Sequence, residues 1–449
     1  MTARDLGVPG LAGAVLVAVV LAYLAAYAPL VALAGMAAVV LLLWIVTRAE
    51  LLLIVLVAAA PWEGMLEFPS ATLSVVKLLG AALVLAYLFR AVTRGDTLRS
   101  STILMAGIAF AAFVALSLMA SPDPEAGVAK ALRYAFFLIF LFLVSQLVQD
   151  RATAYRLLRV LVLSTTLAAL YGLFGFLSGD LERAAGPVHD ANDFAYLIAT
   201  VLPLAALMLL EDKRLRWTWI ASLAILLAAT LATLSRGAMV GLGALAVWAI
   251  ASRRVAAGGL VAAALVVATV ATLALTLWAP LIHERVERKQ RIGEANVQSR
   301  MAFWAAAGRM SVERPVLGIG PGRFGDEADR YLRNNPLSIP DPVVHNTYLE
   351  VLVESGIFAL VAFLVMLGSG WLSLSRAEKE SRELGDRSGA RLAAAVKGSL
   401  VIAIVAGFFL SEQLTLPFWL ACGLAASGAF AAKPARERAR AAPPALAAR

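Results

Sequence analysis

The run Ala279-Pro280-Leu281-Ile282-His283-Glu284-Arg285-Val286-Glu287-Arg288 opens a charged island that closes on Asp341-Pro342-Val343-Val344-His345-Asn346. Long apolar segments flank this island, residues 279–345, on both sides, and that contrast decides the fold. Hydrophobic residues make up 61% of the chain and charged residues 15%, with mean hydropathy +0.82. A soluble domain would be roughly half apolar and about a quarter charged. The composition predicts an all-α polytopic membrane protein.

A bilayer-crossing helix needs about 20 mainly apolar residues. Candidate spans are 8–26, 28–47, 50–60, 76–92, 102–119, 130–149, 156–178, 193–210, 217–234, 237–251, 255–278, 346–374, 392–410 and 413–431. With some short neighbours merging, they predict about 12 to 14 crossings and one large, partly helical loop. The expected organisation is therefore N-terminal transmembrane helices over 1–278, the loop over 279–345, C-terminal transmembrane helices over 346–432 and a disordered basic tail over 433–449. Ala26-Tyr27-Ala28 has the look of a cleavage site, but Pro29 follows it and the apolar pattern runs on to Ile45, so an uncleaved first span is expected.

One set of short loops is basic: Arg48; Arg90, Arg94 and Arg99; Arg151, Arg156 and Arg159; Lys213, Arg214 and Arg216; Arg253 and Arg254; and the 375–391 loop with the tail after Lys433. The alternate loops, near 61–74, 121–129, 179–192 and 411–416, are poor in Lys and Arg. The positive-inside rule then puts both termini in the cytoplasm and the island outside, in the periplasm of a bacterium. The same rule accounts for the net charge of +9, so nucleic acid is not an expected partner. A single cysteine, Cys422, excludes an intrachain disulfide, and no Asp/Glu/His set has metal-ligand spacing, so neither cofactor nor metal is expected.

Within the island, Leu281 to Arg314 is helix-compatible and stops at Pro315; a short polar helix is expected near Asp326–Arg333. Gly318-Ile319-Gly320-Pro321-Gly322 reads either as a turn or as a backbone nest for an anion. His345 stands just before Asn346, a good helix N-cap. Imidazole titrates near neutrality and can take a proton from a hydroxyl nucleophile; the other reading of His345 is an interfacial hydrogen-bonder. His189 and His283 carry weaker signals. Arg236, Arg183, Lys77, Arg133 and Arg300 gather on the expected outer side, against the usual bias. Arginine is the natural bidentate partner of phosphate oxygens, which suits a phosphate or pyrophosphate. The alternatives for each are lipid headgroups or pairing with Glu63, Glu67, Asp123 or Glu182. Glu350 and Glu354 share a helix face beyond His345, fit to orient it, to meet a sugar hydroxyl or to form an ion pair.

Three patterns carry a family resemblance. They are Gly186-Pro-Val-His-Asp-Ala-Asn-Asp-Phe-Ala195, Ser235-Arg236-Gly237, and Arg300-x-x-x-Trp304 leading through Arg314-Pro-Val-Leu-Gly-Ile-Gly320 to His345-Asn346-x-x-Leu349 and Gly356. In order and spacing the chain resembles, over roughly residues 180–360, the bacterial O-antigen ligase/polymerase family of membrane glycosyltransferases. Ala191 departs from a proline frequent there. The resemblance implies an inner-membrane enzyme with a periplasmic site, moving a glycan from an undecaprenyl-pyrophosphate carrier to lipid A–core without metal or nucleotide sugar. It implies His345, Arg236 and Arg300 as catalytic residues. Arg183, Arg133, Lys77, Asn346 and Glu350 are candidates for substrate contact. A polymerase of the same family, a carrier-lipid glycan transporter and an enzyme that glycosylates protein are the competing readings. Polar residues crowd one interface here, whereas transporters place theirs at the midplane between related halves.

Overall fold

The structure, a computed structural model, describes residues 47–67, 74–95, 97–188, 190–253, 297–332 and 342–430. Helix starts are closed by side chains where the sequence offers an acceptor. Ser101, Asp123, Asp150, Asp190, Asn346 and Asp386 each accept a first-turn N–H. The Thr153 N–H, 2.7 Å from Asp150, is the main force holding that carboxyl below its ordinary range.

The helices are α1 (Ala49–Ala59), followed by a 3-10 turn (Ala60–Met65), α2 (Val75–Arg94), α3 (Thr102–Ala120), α4 (Pro124–Leu147), α5 (Arg151–Ser178), α6 (Ala191–Glu211), α7 (Arg216–Ala232) and α8 (Arg236–Ala251). A helical stretch over 297–313, α9, is followed by α10 (Phe324–Leu332), α11 (Thr347–Glu383), α12 (Arg387–Ala406) and α13 (Leu416–Ala425). Seven of these are long and apolar enough to cross a membrane, and three shorter apolar helices accompany them. The protein is an all-α polytopic membrane protein. The expected spans at 8–26 and 255–278, most of 28–47, the basic tail, His189 and His283 lie outside the described residues.

Two compact units are distinguished: residues 1–52 with 81–97, and residues 53–80 with 98–449. In the first, Arg90 Nη1 holds Glu50 Oε1 at 3.2 Å. In the second, α11 packs along α3 and α12, α12 along α6 and α8, and α13 against α4. Phe110, Phe363, Phe418 and Trp419 form a buried aromatic centre. At the end away from His345, Arg151 forks onto Asp386 (2.9 and 2.6 Å) and Arg391 reaches Glu211 at 3.0 Å.

Helix ends depart from the hydropathy reading in a consistent way. α4 and α5 begin earlier than expected, at Pro124 and Arg151, because caps rather than apolar content set the start. α11 continues past residue 374 to Glu383, its polar last turns carrying an Arg382–Glu378 pair at 2.6 Å.

α11 is also broken. Gly356 has φ 81° and ψ 178°, outside helical space. The break frees carbonyls that would otherwise be bonded within the helix, and in an apolar bundle each needs a partner. The Val353 carbonyl accepts from Ile319 N at 2.9 Å, and the Glu354 carbonyl accepts from Gly320 N at 3.0 Å and from Ser117 Oγ at 2.7 Å. Ile357 N turns to the Pro315 carbonyl at 2.9 Å. The glycine-rich run therefore docks on the break, and its Ile319 and Gly320 N–H groups are engaged there rather than in an anion nest. A Cβ at Gly356 would collide with the Val316 carbonyl. Gly356→Ala is expected to cost about 1–3 kcal/mol from the backbone conformation alone, and an unchanged melting temperature in detergent would refute this account of the break.

Candidate active site

Arg300 and Trp304, four residues apart, share one face of α9. Arg300 Nη1 donates to the Phe409 carbonyl at 2.9 Å, and Trp304 Nε1 donates to the Val344 carbonyl at 2.8 Å. One helix face thus grips both the loop between α12 and α13 and the extended segment that delivers His345.

His345 is held in the left-handed region, φ 52°, uncommon for a non-glycine residue although histidine is among those enriched there. Hydrogen bonds fix the chain on both sides of it. Val344, on one side, is buried and held by Trp304. On the other, Asn346 Oδ1 accepts from Tyr348 N (3.1 Å) and Leu349 N (3.0 Å). Thr347 N donates to the Gly407 and Leu410 carbonyls at 2.8 and 2.9 Å, and its Oγ1 donates to the Leu410 carbonyl at 2.8 Å. Burial first, then the nearby Arg300 charge, holds the His345 imidazole below its ordinary value near 6.5. Both effects favour the neutral form, which has a nitrogen lone pair able to accept a proton.

Arg300 is itself shifted down, by burial first, then by Arg236, with Arg183 adding to it. Three guanidinium groups therefore lie within electrostatic reach of one another through Arg300, which in turn acts on His345. Arg183 is oriented by two bonds, Nε to the Thr233 carbonyl and Nη2 to Asn192 Oδ1, both 2.7 Å. Ala184 N adds a bond to the Ala232 carbonyl at 3.1 Å, stitching this loop to the α7–α8 turn. The asparagine of the Gly186–Ala195 pattern thus aims an arginine. Ala191, where proline was the commoner expectation, is the first residue of α6 behind the Asp190 cap, a position that takes either residue.

Arg236 is exposed as the first residue of α8, just after Leu234 at φ 53°. No side chain caps this helix start; the Ser235 hydroxyl is buried and has no partner among the described residues. An uncapped N-terminus adds the positive end of a helix dipole to the guanidinium. Two carboxylates oppose these cations: Asp190 acts on all three of His345, Arg300 and Arg183 while one of its oxygens caps α6 at 2.6 and 3.2 Å, and Glu350 acts on His345. Burial, then Asp193, pushes the fully buried Glu412 carboxyl well above its ordinary range, which favours its neutral form.

The other candidates fall differently. Arg133 is exposed on α4, within electrostatic reach of Asp193 but without a hydrogen bond or ion pair among the described residues. Lys77 is exposed in the first turn of α2 and is not among the charges acting on His345, Arg300 or Arg183. Asn346 spends its Oδ1 on the cap. Glu350 is buried and accepts from Lys130 Nζ at 2.5 Å, Gln413 Nε2 at 2.7 Å and Ser411 Oγ. Lys130 also meets Glu354 Oε2 at 2.7 Å. Sequence reading did not single out Lys130, which stands at the edge of an expected span like an ordinary interfacial lysine. Among the described residues no group of three His, Cys, Asp or Glu is placed to hold a metal ion.

Residues 221–364 match the family described as O-antigen ligase. The matched stretch holds Arg236, Arg300, Trp304, His345 and Gly356, and it supports an O-antigen ligase family assignment. No curated protein matches the chain.

The Arg300 charge disfavours imidazolium, so Arg300→Gln is expected to raise the His345 pKa toward its ordinary value. Histidine NMR titration with His189 and His283 replaced by Gln reads this directly; an unchanged or lower value would show that the two side chains do not interact.

Proposed function

Starting from the O-antigen ligase family assignment, we propose that this chain is a membrane glycosyltransferase that moves a glycan from undecaprenyl pyrophosphate to a sugar hydroxyl of lipid A–core, on the periplasmic side of the bacterial inner membrane. What carries the reading is a histidine held down in pKa by burial and Arg300, with guanidinium groups oriented nearby by the Phe409 and Thr233 carbonyls and by Asn192. His345 accepts the proton of the acceptor hydroxyl as its oxygen attacks the anomeric carbon. The bond from that carbon to the pyrophosphate oxygen breaks, and the electron pair leaves with the carrier. Arg300 and Arg236 stabilise the charge that develops on the leaving group, a role fixed donors perform best in a site with little water. Arg183, aimed by Asn192, supports them. Attack opposite the leaving group inverts the anomeric centre; product that keeps the donor's configuration would rule out this single displacement.

A polymerase of the same family would run the same chemistry with a carrier-linked acceptor. Deleting the gene separates these two and a transporter: loss of a ligase strands long glycans on the carrier, loss of a polymerase leaves single units, and loss of a transporter traps units in the cytoplasmic leaflet.

His345→Ala is expected to lower turnover by roughly 10²–10⁴-fold, the usual contribution of a general base. A variant that transfers glycan at the normal rate removes His345 from the role. In the unmodified enzyme, kcat/KM should rise with pH as His345 loses its proton. The inflection should lie below the ordinary value near 6.5 because burial and Arg300 disfavour the charged form. A limb that instead falls over this range would contradict a histidine base.

A further inference from the structure

We propose that Lys130 is a positioning residue for this transfer: through Glu350 it fixes the loop between α12 and α13, and through that loop the placement of Arg300 relative to His345. The inference rests on the functional reading above.

Lys130 touches neither Arg300 nor His345, and its effect is traceable bond by bond. Its ammonium lies 2.5 Å from Glu350 Oε1 and 2.7 Å from Glu354 Oε2, with both carboxyl groups buried. Glu350 in turn holds the loop by two side chains, Ser411 Oγ and Gln413 Nε2, and the Gln413 carbonyl is fixed by Trp419 Nε1 at 2.8 Å. The same short loop presents the two carbonyls that the site relies on. Phe409 supplies the acceptor for Arg300, and Leu410 supplies the acceptor for Thr347, two residues after His345. Glu412 N closes the circuit onto Thr347 Oγ1 at 2.8 Å. Glu354 joins the cluster to the break in α11, since its carbonyl is where Gly320 and Ser117 dock. Lys130 is thus the one cation, among the described residues, that ties α4, both turns of α11 before the break and the loop that sets the guanidinium.

The geometry also separates this role from substrate contact. The ammonium is occupied by two carboxylates of the protein, and the Glu350 oxygens by Lys130, Gln413 and Ser411, which leaves them ill placed for a phosphate or sugar. Their loss should therefore weaken turnover rather than donor binding.

The test uses purified full-length protein, with donor glycan-carrier lipid extracted from the deletion strain and that strain's own lipid A–core as acceptor. Lys130→Met is expected to lower kcat roughly 10²-fold, the scale of an ångström-sized misplacement of catalytic groups, with KM for the donor within about twofold. Lys130→Arg, which keeps the charge, should recover most of the rate. If Lys130→Met does not fold, Ser411→Ala decides, because it removes one hydroxyl between Glu350 and the loop while the charges stay paired; it too should lower kcat at unchanged KM. A normal kcat in Lys130→Met or in a folded Ser411→Ala overturns the positioning role, as does a loss confined to KM, and His345→Ala remaining inactive in the same assay leaves the functional reading standing. His345→Ala transferring at the normal rate instead overturns that reading and this inference with it.

Discussion

Every backbone polar group in an apolar bundle needs a partner, and α11 fails to supply its own at two places: its first turn and its break at Gly356. Unsatisfied amides and carbonyls away from water cost several kcal/mol each. The protein meets that demand with distant segments, and those segments hold the candidate site residues in place. At the first turn, Asn346 Oδ1 accepts from the Tyr348 and Leu349 amides, while the Thr347 amide and hydroxyl donate to carbonyls of Gly407 and Leu410 and so draw in the 407–413 loop. At the break, the loop after α9 supplies Ile319, Gly320 and Pro315. α9 is consequently anchored at both ends of its face, by Pro315 beyond its last turn and by Arg300 and Trp304 near its start. The left-handed His345 sits between these anchors, and a strained residue persists only where its surroundings over-determine it.

The charge distribution fits the same frame. Three arginines near one another repel, and burial raises the cost of keeping Arg183 and Arg300 charged. The repulsion opposes folding; it is tolerated because hydrogen bonds to backbone carbonyls and to Asn192 anchor and orient the groups without neutralising them. An anionic ligand that binds the folded state would relieve the repulsion and stabilise the protein by mass action. The neutral histidine belongs to the same economy of charge, because an imidazolium here would add a further cation to an already crowded site.

Much of this arrangement was legible in the sequence, for reasons that are local. Asn346 reads as a cap and is one, because a cap is decided within four residues. Arg300-x-x-x-Trp304 was legible only as part of a family resemblance; its spacing puts both residues on one helix face because i and i+4 coincide. The polar helix near 326–333 is likewise present, at Phe324–Leu332. What escaped depends on partners far along the chain. Lys130 meets Glu350 from 220 residues away, and nothing in its own neighbourhood distinguishes it from a lysine at a membrane edge. The amides of Ile319 and Gly320 are donors in either reading of their loop, and only the distant break at Gly356 decides whether they serve an anion or a helix. Hydropathy also misplaced helix ends, since it sees apolar content, whereas caps and i, i+4 ion pairs extend a helix beyond it.

The contrast between capped and uncapped helices separates the two halves of the chemistry. α6 and α11 face the site with their starts closed, by Asp190 and Asn346, so their amides are already satisfied and add little pull on an anion. α8 faces it without a side-chain cap: among the described residues the buried Ser235 hydroxyl has no partner, and Arg236 stands at that helix start. A pyrophosphate would therefore be drawn to the α8 end, where guanidinium and helix dipole act together. His345, held just before the closed start of α11, meets no open helix end of its own and stands instead beside the Arg300 charge. Arg236 is thus placed by the first turn of a helix alone, whereas the segment carrying His345 is held by Trp304, by the Asn346 cap and by the 407–413 loop.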